Sequence, residues 1–343
     1  MQRRYPAAAG RGRGGSTSVA AVLAARAVRQ SADDPISGLE VGDAPAAEVP
    51  PGWVRVRVRA AALNHHDLWS LRGVGLPADR LPMVLGCDAA GVTEDGREVV
   101  VHAVVASEGW RGDETLDPAR TLLSELHPGT LAEEVAVPAR NVLPKPAGWS
   151  FERAASLGTA WLTAYRMLFT QARVVPGQTV LVQGAGGGVS NALVVLGAAA
   201  GVRVWVAGRD PGRVERALAW GAERGFTAGE RLPERVDAVF ETVGRATWQH
   251  SLRSLRPGGA LVVSGATTGG DAPAMLEHVF FRQLRVLGST MGTLEEFERL
   301  LRFCELRDLG PAVDSVHELA DARAAFVRLA SGEALGKVVL RAG

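Results

Sequence analysis

Thr179-Val180-Leu181-Val182-Gln183 run directly into Gly184-Ala185-Gly186-Gly187-Gly188-Val189-Ser190, and a helical pattern follows at once. Strand, glycine turn and helix in this order suit one task well. A pyrophosphate must approach bare backbone N–H groups at a helix N-terminus, where the macrodipole also favours negative charge, and side chains there would hold it off. Read strictly, the six-position fingerprint begins at Ala185, has its middle glycine at Gly187 and ends on Ser190, a small residue that lets helix and strand pack closely. The expectation is a dinucleotide on Gly184, Ala185, Gly186, Gly187, Gly188 and Val189. Its type turns on the end of the next strand, about 20 residues on, where a carboxylate would bind the ribose of NAD. Gly208 ends that strand, Arg209 follows and Arg213 lies four residues later. This offers space and positive charge to a 2′-phosphate, so NADP(H) is expected as cofactor. Asp210 reaching a ribose is the alternative.

The rest of the composition narrows the partners. Lys plus Arg number 38 against 37 Asp plus Glu, which leaves no field to gather nucleic acid or an anionic membrane surface; a small-molecule substrate fits. The only cysteines, Cys87 and Cys304, exclude a disulfide framework and a four-cysteine metal site, and point to the cytoplasm. Arg3-Arg4 and the apolar Val19 to Ala25 stretch superficially imitate an export signal, but Arg26 interrupts the run, and residues 1–20 are expected to be a flexible tail. No segment has the roughly 20 uninterrupted apolar residues of a spanning helix.

With 343 residues, two cores are the natural division. Ala24 to Val28, Gly38 to Val41, Trp53 to Ala60, Val84 to Val92, Glu98 to Val105 and Leu131 to Val137 read as short strands of an irregular, barrel-like β domain, with a long polar loop from Ser107 to Ser124. Phe151 to Phe169 reads as one helix. Strands at 179–183, 202–207, 236–242, 260–265 and 284–288 then alternate with helices at 189–200, 213–220 and 246–255, and the strands are built of Val, Leu and Ala rather than of alternating polarity. That pattern predicts an α/β fold, a doubly wound parallel sheet buried on both faces. After helices at 294–306 and 320–330, the strand Lys337 to Arg341 has no place in that sheet, and its return to the β domain is expected. Residues 21–150 plus 289–343 would then form the substrate domain and 151–288 the dinucleotide domain.

This plan resembles the medium-chain dehydrogenase/reductase superfamily, a Rossmann domain inserted in a GroES-like domain. The landmark strings are Ala62-Leu63-Asn64-His65-His66-Asp67-Leu68-Trp69, Leu85-Gly86-Cys87-Asp88-Ala89-Ala90-Gly91-Val92 and Ala154 to Tyr165, which includes Thr159 and Thr163. The zinc-dependent alcohol dehydrogenases of that superfamily place Cys, His-Glu and Cys where this chain has Asn64, Cys87-Asp88 and Thr159, so the pattern is similar to the zinc-free quinone oxidoreductase branch. A quinone or α,β-unsaturated carbonyl is the implied acceptor: its developing charge spreads onto an oxygen that hydrogen bonds can stabilise without a metal.

By the resemblance, Asn64, His65, His66, Asp67 and Trp69 face the nicotinamide as the catalytic set, with Thr159 and Tyr165 across from them and Thr163 on the cofactor. One of the two histidines, which should point opposite ways, would donate a proton or hydrogen bond. Trp69 stands where that branch commonly has Tyr, which puts proton donation from that position in doubt. Thr242, Val243, Gly265, Ala266 and Thr267, at strand ends, should contact the ribose and carboxamide. The strand near Leu284 to Gly288 implies a homodimer. Two alternatives stay open: a zinc alcohol dehydrogenase with ligands drawn from Cys87, Asp88, His65 and His66, and a catalytically silent NADPH-binding redox sensor.

Overall fold

A computed structural model describes residues 21–343; the expected tail at 1–20 lies outside them. The apolar residues from Ala21 onward enter a strand, Ala21–Ala27, paired antiparallel with Leu39–Pro45.

Six strands form one parallel sheet in the spatial order Arg224–Thr227, Arg203–Gly208, Thr179–Gln183, Val236–Glu241, Leu255–Val263, Arg285–Gly288. The chain thus starts in the middle of the sheet, winds out to one side and returns to fill the other. Such a sheet splits open beyond the carboxyl ends of its two central strands, Thr179–Gln183 and Val236–Glu241, where ligands bind. Both faces are covered. Val180, Val182, Val204 and Val206 pack into one core with Trp161 and Phe297, and Leu181, Trp205, Val239 and Leu261 pack into another. Burial on both sides is why the central strands carry the apolar runs Val180–Val182, Val204–Val206 and Ala238–Phe240.

The second body is a seven-stranded, mostly antiparallel sheet around Trp53–Ala62, which pairs with Asp88–Thr93, Glu134–Pro138 and the closing strand Lys337–Arg341. The closing strand therefore returns to the N-terminal sheet.

Several elements differ from expectation, each for a local reason. The long helix is broken into Phe151–Ala155 and Ala160–Tyr165, followed by a π-helical stretch, Arg166–Ala172. The break lies at Gly158, where a Cβ would come within 2.8 Å of Asp88 Oδ1. The strand Val84 to Val92 is interrupted at Gly86, whose φ of 101° suits glycine alone. Residues His65–Leu71 form a short helix, because Asp67 accepts a hydrogen bond from the Asn64 N–H at 2.8 Å and caps the turn. The strands Arg224–Thr227 and Val313–Glu318 were not expected; both are edge segments with mixed polar sequence and carry little periodic signal.

Candidate active site

At the glycine turn, Gly184 takes φ 85° and its N–H is held by Ala207 O at 2.8 Å, so the turn is pinned to the neighbouring strand. Gly187 caps the helix Gly188–Ala199 with no side chain to cover the N–H groups behind it. A Cβ on Gly187 would meet only Ser190 Oγ, at 3.9 Å, so the space above the turn is open. A dinucleotide pyrophosphate fits this cradle. Gly188 serves packing as well: a Cβ there would sit 3.2 Å from Ala160 Cβ.

Gly208 corrects one expectation. The room beside it is already filled, since a Cβ would lie 2.9 Å from Ala185 Cβ and 3.0 Å from Val214 Cγ2; the glycine lets the turn close on the strand. The positive charge is as expected: Arg209 is exposed, and the half-buried Arg213 lays its guanidinium over Gly186 and donates to Gly332 O. Asp210 instead turns its Oδ1 to the Arg213 N–H at 3.2 Å and caps the helix Pro211–Ala219.

Beyond the adjacent strand, Thr242 and Val243 owe their position to Glu241, which the sequence places with them at the strand end as a ribose or carboxamide contact and which here turns inward as a buried support. Its fully buried carboxylate accepts from the N–H groups of Val243 (2.8 Å) and Gly244 (3.0 Å) and from the hydroxyls of Thr247 (2.8 Å) and Ser251 (2.6 Å). A charged residue ending an apolar strand was the available signal. Gly265 fits closely beneath, where a Cβ would come 3.1 Å from Thr242 O, while Ala266 and Thr267 are exposed at the strand end. Thr163 is buried on the helix Ala160–Tyr165 and bonds back to Thr159 O through its N–H at 2.9 Å. Tyr165 turns away from Thr159: it stacks on Phe169 at 4.8 Å, and Glu296, Arg299 and Cys304 are the ionisable groups around it, so it belongs to the packing of the helix Leu294–Arg307.

The loop from Asn64 to Trp69 is organised around a buried lysine whose role the sequence reading did not foresee. Lys337 Nζ donates to Asn64 Oδ1 at 2.6 Å and to Asp88 Oδ2 at 3.1 Å. Asn64 Nδ2 donates to the same Asp88 oxygen at 2.9 Å and to Ala62 O at 3.3 Å, while Thr159 Oγ1 donates to Asp88 Oδ1 at 2.6 Å. Asn64 thus spends its whole amide on the protein.

These bonds also test the metal alternative. Asn64 and Asp88 close on the Lys337 ammonium, Thr159 donates to Asp88, and the Cys87 thiol points elsewhere, to Leu123 O at 3.3 Å. Burial, with Asp67 and Asp88 nearby, raises that thiol well above its ordinary range. Among the described residues, no group of three or more His, Cys, Asp or Glu side chains could hold a metal. The arrangement does not fit zinc.

The two histidines do diverge. His66 Nε2 lies 3.3 Å from Ser124 Oγ and 3.8 Å from Glu125 Oε1. Glu125 lines a cavity of about 300 Å³ with Val104, Thr115, Arg120, Leu122 and Met291. Burial raises the Glu125 carboxyl, with His66 pulling the other way. Ser124 holds its place at φ 72°, and the loop before it is tied down by Asp113, which accepts from the buried Arg166 at 2.5 Å. His65 is exposed at the first position of the helix; partial desolvation, then the charges of Lys337 and Arg72, lower it from its ordinary 6.5. Asp67 is fully buried with Oδ1 unpartnered, and Trp69 carries the Arg72 guanidinium 5.1 Å from its ring centre.

A glycine cradle at the open centre of a doubly wound sheet, with a polar cavity and a histidine in the adjoining domain, defines a dinucleotide-dependent oxidoreductase. The sequence profiles described as alcohol dehydrogenase GroES-like domain and zinc-binding dehydrogenase match residues 50–147 and 221–340. The chain is 31% identical over 324 residues to a quinone oxidoreductase of Pseudomonas aeruginosa, covering 88% of this chain and 95% of that one. It is 33% identical over 309 residues to the spectinabilin polyketide synthase system protein NorB of Streptomyces orinoci, where 86% of this chain spans 13% of NorB. A crystal structure of an NAD-dependent alcohol dehydrogenase superposes with a TM-score of 0.87 at 34% identity, over 94% of this chain and 100% of the other. The chain belongs to the medium-chain dehydrogenase/reductase superfamily, and it is an NAD(P)-dependent oxidoreductase.

Proposed function

We propose that this protein reduces a quinone or an α,β-unsaturated carbonyl with NADPH, without a metal, as a cytoplasmic homodimer. The observation that carries the reading is the Lys337 ammonium on Asn64 and Asp88, at positions where zinc-dependent relatives hold their metal. Without a Lewis acid, an isolated ketone or alcohol oxygen is a poor centre for hydride chemistry, whereas a conjugated acceptor spreads the arriving charge. NADPH supplies the hydride when bound. Residues Gly184 to Val189 bind its pyrophosphate through backbone N–H groups, and Arg209 and Arg213 receive the 2′-phosphate, a role supported by the turning-in of Asp210. His66, steadied by Ser124 and Glu125 beside the cavity, donates the hydrogen bond and then the proton to the acceptor oxygen. His65, on the Lys337 side, faces the cofactor, and Asp67 holds the loop.

The dimer reading rests on the outermost strand of the parallel sheet, Arg285–Gly288. It is largely exposed, with Val286 45% accessible and Phe281, at the end of the helix Leu276–Phe281 before it, 78%, and an unpaired edge of this kind invites a second copy. The test is NADPH oxidation with chelator present, across quinones, enals and enones, beside NADH and simple alcohols. NADPH-dependent turnover of a conjugated acceptor supports the proposal; chelator-sensitive alcohol oxidation with NAD overturns it.

A further inference from the structure

Lys337 is 4% exposed and Asp88 has no exposed surface, and a carboxylate taken out of water is tolerated only with compensating donors and charge. Three elements remote in sequence supply them: Asn64 at the start of the loop helix, Thr159 at the break in the long helix, and Lys337 at the first position of the closing strand. The lysine arrives there in a fixed manner. Its own N–H donates to Ala312 O at 2.8 Å, and Gly336 before it has φ 142° with no room for a Cβ, which would sit 2.3 Å from that same oxygen. Its stem then runs along the cofactor turn, with Cδ 3.8 Å from where a Gly188 Cβ would be, before the ammonium reaches Asn64.

We infer that Lys337 is the positioning residue of the active site: by gripping Asn64 and Asp88 it fixes the loop that carries His65 and His66 relative to the cofactor turn. Asn64 is the lever. Its Oδ1 is held by Lys337, its Nδ2 by Asp88, and its N–H by Asp67, so the entry into the helix His65–Leu71 has one orientation. Remove the ammonium and the Asn64 carbonyl loses its donor while Asp88 keeps a buried charge with two neutral donors. The loop then gains freedom exactly where a small displacement of a reacting group is costly. The same charge also acts on His65, which feels Lys337 from the closing strand and Arg72 from the end of its own helix, after desolvation.

The Lys337→Met variant of the full chain keeps the stem and removes the charge. Three readouts follow: amide hydrogen exchange at residues 64–67, the NMR titration of the His65 imidazole, and kcat set against cofactor Kd from NADPH fluorescence. Expected are loss of amide protection in the loop, movement of His65 up toward its ordinary 6.5, and a fall in kcat on the order of 10- to 100-fold with cofactor Kd changed by less than about 3-fold. Lys337→Arg should restore loop protection and most of the rate. Asp88→Asn, which removes the other half of the grip, should loosen the same amides, and the double variant should be no looser than Lys337→Met alone. Wild-type protection and a rate within about twofold of wild type in Lys337→Met overturn the inference. If that variant does not fold, unchanged loop protection in Asp88→Asn does so. The inference uses the proposed reduction only for its kinetic readout. Exchange and titration require no turnover, so a chain that reduced none of the acceptors would still answer the question about Lys337.

Discussion

The glycine turn at 184–188 and the loop helix His65–Leu71 meet across the stem of Lys337, yet they are assembled in opposite ways. The turn is shaped by its own backbone, and its side chains matter by their absence. The loop is held by side chains whose partners come from far along the chain: Asn64 reaches Asp88 across 24 residues and Lys337 across 273. A site made of backbone leaves a short, readable signature, whereas a site made of convergent side chains is written only in the tertiary fold.

That contrast can be broken experimentally, beginning with the turn. Gly187→Val should leave the fold nearly untouched, because its Cβ meets nothing closer than 3.9 Å, but it places a branched side chain where the phosphate must sit. Cofactor Kd should rise about 100-fold or more, roughly 3 kcal/mol, with an unchanged thermal midpoint. Retained affinity would mean that the cradle is elsewhere. On the loop side, His66→Gln should lower kcat about 100-fold with cofactor affinity preserved, while His65→Gln should act mainly on cofactor KM. Equal effects from the two variants would erase the division of labour drawn from their opposite directions. Arg213→Met should raise the Kd for NADPH about tenfold and leave that for NADH unchanged; an equal loss for both cofactors would assign this arginine to closing the cleft on Gly332 instead.

Asp67 offers a smaller and pH-dependent effect. Burial raises its carboxyl from the usual 3.8, outweighing the pull of His66 and of the Asn64 N–H. The folded chain therefore holds this proton more tightly than the unfolded chain does. The stability it contributes is present below the usual value and is lost as pH rises through the raised one. Asp67→Asn keeps the cap acceptor without the charge, so its thermal midpoint should gain on wild type as pH rises above the usual 3.8 and match it at the acid end. A gap that narrows with rising pH would show that the carboxylate is compensated. Least affected of all, Cys87 and Cys304 should resist alkylation of the folded protein at neutral pH, since burial raises both thiols, Cys304 to about 12. Mass spectrometry would detect any labelling.

How much the sequence disclosed follows the same line. The parallel sheet was legible because burial on both faces forces apolar runs at Val180–Val182, Val204–Val206 and Ala238–Phe240, and the cradle because glycines were required side by side. The interruption at Gly158 was not, since its cause is an oxygen of Asp88. The loop helix hid behind two adjacent histidines that look like loop residues until Asp67 is seen to cap it. Glu241 and Lys337 sat at the ends of well-predicted strands. What they do there depends on partners that strand periodicity does not encode.

The return of the closing strand has a consequence for how the protein comes together. Val339, Leu340 and Arg341 pair with Ala62, Ala61 and Ala60, so the strand that leads into the loop helix His65–Leu71 lacks one neighbour until residues near 340 are available. Contacts closing so large a loop form slowly and late. As the chain leaves the ribosome, the nucleotide-binding sheet can complete itself first, and an edge of the other sheet stays unsatisfied until the last strand arrives. Shortening the chain before residue 337 should therefore give a protein that aggregates through that open edge rather than a merely inactive enzyme.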